Sequence, residues 1–214
     1  MTGSADSTAS SWRLLATPVG LMVVGLAAMW GLEALDSVAL DGALQRNGLR
    51  PREREGLDGI LWAPFLHSDF GHVASNSVPF LALGGLVAVR GRRYWGWVTA
   101  SSILVGGGLT WLVAGTGNHI GVSGVVFGYF GAILGAAMFE RHVRALGAAL
   151  IALGFYSSLI AGLVPQDAVS WEGHLFGLLA GVIMARVLAE PRPASLDDSH
   201  EPEPWELDEP WTSN

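Results

Sequence analysis

The chain has 214 residues, of which 50% are hydrophobic and only 14% are charged, and its mean hydropathy is +0.41. A soluble domain would carry about a quarter charged residues, so this composition predicts a polytopic membrane protein with one domain. The formal net charge of −7 arises largely after residue 190, which indicates an acidic appendage rather than a nucleic-acid-binding face. The chain contains no cysteine, which excludes disulfides and thiol-ligated metals.

Six apolar segments predict an all-α bundle of transmembrane helices, because each approaches the roughly 20 residues that a bilayer requires. Their approximate bounds are 14–35, 72–89, 94–114, 123–139, 143–163 and 173–189. A signal peptide is the alternative for the first segment, but its apolar stretch is longer than a usual signal core. We therefore expect an uncleaved first helix. The expected organisation is a disordered segment 1–12, a membrane domain 13–190 and an acidic, disordered tail 191–214.

The distribution of arginine predicts the orientation of these helices. If six helices alternate, one side receives Arg13, Arg90, Arg92, Arg93, Arg141, Arg144, Arg186 and Arg192. The connections that follow the third and fifth helices contain no arginine, whereas the long first connection contains both arginines and acidic residues. We therefore expect both termini in the cytoplasm, in an arrangement compatible with a bacterial inner (plasma) membrane. The tail would be either a docking segment for a cytoplasmic partner or a solubilising segment without one.

The same topology brings four polar side chains to one level of the membrane. His72 and Asn76 lie in the first turns of the second helix, Ser123 begins the fourth, and His174 begins the sixth. A helix rises about 1.5 Å per residue, so all four are expected a few ångströms below the outer face. Polar side chains are costly at such positions and are usually functional. The pattern predicts a site that water reaches from outside.

Stripes of small residues predict that the fourth and sixth helices approach each other closely. The glycines expected at this helix-packing interface are Gly124, Gly128, Gly177 and Gly181. Such stripes pack helices in many membrane proteins, so they indicate proximity and not chemistry.

Three segments together resemble the rhomboid family of intramembrane serine proteases. They are FLHSDFGHVASN at 65–76, GVSG at 121–124 and GHLFGLLAG at 173–181, and the resemblance extends over roughly residues 57–190. It implies a six-transmembrane-helix rhomboid-like bundle in the lipid bilayer. It also implies hydrolysis of peptide bonds in or near the transmembrane segments of membrane-protein substrates, without a cofactor.

The resemblance also implies a role for each polar residue. Ser123 corresponds to the nucleophile and His174 to the general base, which agrees with the need of a serine hydroxyl for a neighbouring base. The oxyanion would be stabilised by the Asn76 and His72 side chains and by the backbone NH of Ser123. For Asn76 and His72 the competing interpretation is an interhelical hydrogen-bond pair that only ties the second helix in place. His119 and His142 are expected to be incidental.

Other functions remain as alternatives at this point. A catalytically silent rhomboid-like scaffold or adaptor is the main one, and a transporter is disfavoured because no inverted repeat is evident. A zinc site built from His67, His72 and His174 is disfavoured because no HExxH-like pattern is present. The chain departs from the family in lacking a Trp-Arg pair in the first connection and in having Phe127 where tyrosine is frequent.

Overall fold

The computed structural model describes residues 16–166 and 169–189. The expected disordered segment 1–12 and acidic tail 191–214 lie outside the described residues. The described part forms six long helices, which we number in chain order: α1 Pro18–Ala39, α2 Phe70–Ala88, α3 Arg92–Val113, α4 Ser123–Glu140, α5 Val143–Leu163 and α6 Trp171–Val187. Helix α3 contains a π-helical segment, Ser102–Gly106, and α5 ends in a 3₁₀ segment, Ser157–Leu163. The prediction of an all-helical membrane protein is confirmed.

Five of the six predicted spans are confirmed as helices that are long and apolar enough to cross a membrane, namely α1 to α5. The segment predicted at 173–189 is also helical, but α6 has 17 residues and is not among these five candidate spans within the described part of the chain. A sixth crossing therefore stays a prediction.

Helix α4 occupies the centre of the bundle. Its sequence is apolar on every face, as expected for a helix surrounded by other helices, and Val126, Phe127, Tyr129 and Phe130 are each at most 2% exposed. The helix packs against α2, α3, α5 and α6. Ser123, as its first residue, is therefore held at the middle of one end of the bundle.

Glycines allow α4 and α6 to touch through their backbones. A Cβ atom added to Gly177 would lie 2.1 Å from the carbonyl oxygen of Gly124, and one added to Gly181 would lie 1.9 Å from that of Gly128. A Cβ on Gly128 would instead meet the Ser102 hydroxyl of α3, and one on Gly124 would meet only Gly173 O, at 3.4 Å. The four predicted glycines thus lie at one crossing, and its close approach requires the two on α6 and also Gly131 of α4, whose added Cβ would meet the Leu178 carbonyl.

The long first connection folds against the same end of the bundle as Ser123. It forms short helical turns at Leu44–Asn47, Arg54–Gly56, Gly59–Trp62 and Ala63–Phe65. Arg52 donates from its backbone to Trp111 O at 3.0 Å and from Nη1 to Ala114 O at 2.6 Å. Since carbonyl groups at a helix C-terminus lack intrahelical partners, Arg52 both satisfies the end of α3 and fixes the connection there.

His142 closes the opposite end of the bundle and is not incidental. Its Nδ1 accepts a hydrogen bond from Ala145 N at 3.2 Å, which makes His142 the N-cap of α5. Its Nε2 lies 3.0 Å from the buried Glu140 carboxylate, which also pairs with Arg90. These contacts tie the end of α4 to the α2–α3 connection and to the start of α5, so His142 has a structural function that the sequence pattern did not indicate.

Candidate active site

Ser123 and His174 form a hydrogen-bonded pair between the first residue of α4 and the first turn of α6. The distance from Ser123 Oγ to His174 Nε2 is 2.8 Å, and His174 Nδ1 lies 2.8 Å from the carbonyl oxygen of Gly162. A carbonyl oxygen can only accept a hydrogen bond, so Nδ1 carries the proton and Nε2 is left as an acceptor for the serine hydroxyl. This is the tautomer that a general base requires.

The imidazole of His174 is also held by packing. The Phe127 ring lies four residues after Ser123 and stacks on His174, with ring centroids 4.3 Å apart and an angle of 10° between the planes. A Cβ on Gly162 would lie 3.1 Å from both His174 Nδ1 and the Phe127 ring. Because no side chain fits there without displacing one of the two rings, glycine at 162 lets the backbone approach the histidine closely.

His72 and Asn76 project from α2 toward the segment that precedes Ser123. A Cβ on Gly121, whose φ is +109°, would lie 2.8 Å from His72 Nε2 and 3.7 Å from Asn76 Nδ2. Glycine is therefore needed at 121 both for its backbone conformation and for space. His72 Nδ1 lies 3.5 Å from Ser68 N and 3.3 Å from Ser68 Oγ. If Nδ1 accepts from that backbone N–H, Nε2 carries the ring proton and points toward Gly121.

Asn76 does not hydrogen-bond to the His72 ring. Its Nδ2 donates to the His72 backbone carbonyl at 3.1 Å, within α2. The structure therefore places both side chains beside Gly121, two residues before Ser123, and the bond between the two residues lies within α2.

A cavity of about 740 Å³ opens above the pair. Its lining includes Ser123, His174 and His72 together with the connection from Gly115 to Ile120 and the residues around Ser170. A smaller cavity of about 60 Å³ lies beside Ser123, among Ile60, Ile103, Gly106 and Val125. The hydroxyl thus lies between a larger opening with many polar lining residues and a smaller recess with a mainly apolar lining.

His67 lies next to His72 but not in the cavities. It is 2% exposed, and its ring meets the His72 ring edge-on at a centroid distance of 4.9 Å. Burial lowers the pKa of His67 to about 4, so its ring is neutral at physiological pH. Within the described residues, no three His, Asp or Glu side chains are grouped so that they could hold a metal ion.

Sequence reasoning missed several residues around the pair. The Gly162 carbonyl belongs to α5, and nothing in the sequence near residue 162 indicates that it would orient a histidine. His119 was expected to be incidental, yet its Nδ1 lies 2.5 Å from Ser170 Oγ. Glu172 accepts a hydrogen bond from Gly115 N at 3.1 Å. These contacts join residues 12 to 57 positions apart, so no local sequence pattern could have shown them.

Comparison with known proteins agrees with this arrangement. The family model described as the Rhomboid domain matches residues 55–191. The chain belongs to the rhomboid family. This rhomboid-family protein is 34% identical over 176 residues to the uncharacterized protein Rv1337 of Mycobacterium tuberculosis, covering 78% of this chain and 73% of that protein. It is also 34% identical over 176 residues to the uncharacterized protein ML1171 of Mycobacterium leprae, covering 78% of this chain and 69% of that protein.

Proposed function

We propose that this rhomboid-family protein is an intramembrane serine endopeptidase with a Ser123–His174 dyad. The observation that carries the proposal is the 2.8 Å contact between Ser123 Oγ and His174 Nε2, with Nδ1 of the same ring directed at the Gly162 carbonyl. A serine hydroxyl becomes a useful nucleophile when a neighbouring base is oriented to take its proton. A scaffold would have no use for a histidine that is stacked, oriented and open to a cavity.

In the proposed reaction, Ser123 Oγ attacks the carbonyl carbon of the scissile peptide bond while its proton passes to His174 Nε2. The C–N bond then breaks, and the same proton passes from Nε2 to the leaving amine. A water molecule from the cavity of about 740 Å³ next attacks the acyl carbon and gives a proton to His174 Nε2. The ester bond between that carbon and Ser123 Oγ then breaks, the proton passes from Nε2 to Oγ, and the acid is released. The Gly162 carbonyl keeps Nδ1 protonated throughout, so the ring can alternate between accepting and donating at Nε2 alone.

The negative charge that develops on the substrate oxygen needs hydrogen-bond donors. Three donors are available next to Ser123: the His72 ring, the Asn76 amide and the backbone NH of Ser123. The last is the first NH of α4, a position that has no intrahelical acceptor. Asn76 would exchange its bond to the His72 carbonyl for one to the oxyanion.

The substrate class follows from the depth of the site. Ser123 begins a helix that is long and apolar enough to span a bilayer, so the pair lies near one membrane surface. A peptide bond within a helix is shielded by its own side chains, so the substrate must present unwound backbone. We propose single-span membrane proteins with Gly, Pro or other small residues near their outer end, cut by an enzyme whose termini are cytoplasmic and whose membrane is a bacterial plasma membrane.

The experiment is cleavage of a tagged single-span substrate in liposomes, together with covalent labelling by a serine-directed fluorophosphonate. Wild type, Ser123→Ala and His174→Ala are compared, and Ser170→Ala is included because Ser170 also lies beside a histidine. We expect Ser123→Ala to abolish both cleavage and labelling and His174→Ala to reduce both by about 10³-fold or more. Ser170→Ala should still carry the label, on Ser123, even where its cleavage rate is lower. Labelling mapped to Ser170, or cleavage by Ser123→Ala, would refute the dyad. A wild type that neither cleaves the substrate nor reacts with the fluorophosphonate would favour the scaffold alternative.

A further inference from the structure

His119 and Ser170 form a second serine–histidine contact, which the proposed mechanism does not use. His119 lies in the connection between α3 and α4, four residues before Ser123, and its Nδ1 is 2.5 Å from Ser170 Oγ. Ser170 directly precedes α6, and its carbonyl oxygen accepts a hydrogen bond from His174 N at 3.0 Å. The contact therefore joins the connection that leads to the nucleophile with the turn that carries the base.

The His119 side of this contact is fixed by its backbone. His119 and Leu49 exchange two backbone hydrogen bonds of 2.8 and 2.9 Å, and Gly121 N donates to Ala63 O at 2.8 Å. The first connection thus holds the chain on both sides of residue 120. Because this backbone is tied down, the His119 ring is a fixed point against which another element can be positioned.

On the other side of the contact, the Ser170 side chain does not make the usual N-cap hydrogen bond. Ser170 is the N-cap residue of α6, yet its side chain makes no capping hydrogen bond. A serine at this position usually accepts a hydrogen bond from the second or third NH of the helix, an interaction that stabilises the helix start. Here the hydroxyl bonds to His119 instead. The start of α6 is therefore stabilised by the neighbouring connection and not by its own N-cap.

A second hydrogen bond acts in the same direction. The Glu172 carboxylate accepts from Gly115 N at 3.1 Å, so both ends of the segment Ser170–Glu172 are tied to the α3–α4 connection. Burial lowers the pKa of His119, an effect that the Glu172 carboxylate and the Gly115 carbonyl oppose. A neutral His119 has one ring N–H and one acceptor nitrogen, and a serine hydroxyl can satisfy either.

From these contacts we infer that His119 is a positioning residue: through Ser170 it fixes the first turn of α6 and thereby holds His174 Nε2 within reach of Ser123. The inference rests on the proposed function. A helix terminus frays readily, and a misplacement of about 1 Å can cost about 100-fold in rate. The stacked Phe127 ring and the Gly162 carbonyl hold the ring of His174. His119, acting through Ser170, holds the backbone of His174.

The test uses two substitutions of nearly equal size. His119→Asn places an amide group where Nδ1 stands and can still bond to Ser170, whereas His119→Leu has the same branching without hydrogen-bonding capacity. His142→Asn is the matched control, because asparagine is also a good N-cap residue and His142 lies at the opposite end of the bundle. Each full-length protein is assayed for kcat and KM on the liposome substrate, and its ¹⁵N-labelled histidine rings are followed by NMR in detergent.

We expect His119→Leu to lower kcat by about 10- to 100-fold with KM changed less than about threefold, and His119→Asn to recover most of the loss. The His174 ring signals should shift in the leucine variant and not in His142→Asn. Adding Ser170→Ala to His119→Leu should lower kcat little further, because both substitutions remove the same contact.

Unchanged kcat in His119→Leu, equal losses in both His119 variants, or a rise in KM alone would each overturn the inference. If wild type itself is inactive, the proposed function fails, and unchanged His174 signals in His119→Leu would then overturn this inference separately.

Discussion

Replacing Gly177 of α6 by alanine should separate the two members of the dyad. The added Cβ would lie 2.1 Å from the carbonyl oxygen of Gly124, and real Cβ atoms essentially never approach closer than 3.0 Å. The obstacle is backbone, which cannot move aside by changing a rotamer. Helices α4 and α6 must therefore move apart by about 1 Å.

The expected loss of activity follows from that displacement. Gly177 lies three residues after His174, on the same face of α6, while Gly124 adjoins Ser123. A contact of 2.8 Å between Ser123 Oγ and His174 Nε2 would lengthen to about 3.8 Å, beyond hydrogen-bonding distance. A misplacement of this size costs about 100-fold in rate, and overpacking lowers the free energy of unfolding by about 1–3 kcal/mol.

The assay measures the cleavage rate in liposomes and the midpoint of thermal unfolding in detergent for Gly177→Ala, Gly181→Ala and Gly147→Ala. Gly181 meets the same obstacle one turn further from the site, with Gly128 O at 1.9 Å, whereas a Cβ on Gly147 of α5 meets nothing within 4 Å. Alanine at 147 should stabilise the helix by about 0.5–1 kcal/mol and leave the rate unchanged. Wild-type rates in both α6 variants would refute the reasoning, as would an equal loss in Gly147→Ala.

Two further predictions concern the neighbouring histidines and Asn76. Because the pKa of His67 is lowered to about 4 in the folded protein and is about 6.5 in an unfolded chain, the unfolded state binds the proton first as the pH falls. The free energy of unfolding should therefore decrease by up to about 3 kcal/mol between pH 6.5 and pH 4. Unfolding measured over this pH range should show a flatter dependence in His67→Leu. An equally steep dependence in the variant would exclude His67 as its origin. Asn76→Ala and His72→Ala should each lower kcat about 100-fold with little change in KM, as measured on the liposome substrate, and a change confined to KM would assign them to substrate binding.

The helices could be predicted from the sequence because their apolar runs are long, but their ends could not. The first predicted segment, 14–35, is displaced by four residues from α1, Pro18–Ala39. Its start is set by the Thr17 hydroxyl, which accepts a hydrogen bond from Gly20 N at 3.1 Å. The predicted start followed the apolar run and not this capping residue. Its end extends through Asp36, which is 2% exposed and accepts from Leu44 N at 2.8 Å. A carboxylate that is buried but satisfied looks, in the sequence, like the end of a span.

The candidate site was predictable to a different degree at each position. Ser123, His174, His72 and Asn76 could be named because helix starts that alternate across a membrane must share a level. The contacts of His119 and Gly162 could not, because they depend on how connections fold over the bundle. The backbone position of His119 is set by hydrogen bonds to Leu49, and that of Gly162 by the 3₁₀ end of α5. Neither feature has a residue preference strong enough to be recognised in the sequence.

The choice of a carbonyl group to orient His174 has a physical reason. A carboxylate at the Gly162 position would fix the same tautomer and would also stabilise the imidazolium that would form in the proposed reaction. Within a bilayer, however, it would be a buried charge without a partner while His174 is neutral, and such charges cost several kcal/mol each. The carbonyl oxygen, at 2.8 Å from Nδ1, provides the orientation without that cost, and the stacked Phe127 ring supplies part of the missing stabilisation through its π face. A Ser–His dyad is therefore the form of this chemistry that an apolar environment favours, and the price is a base whose position depends on packing.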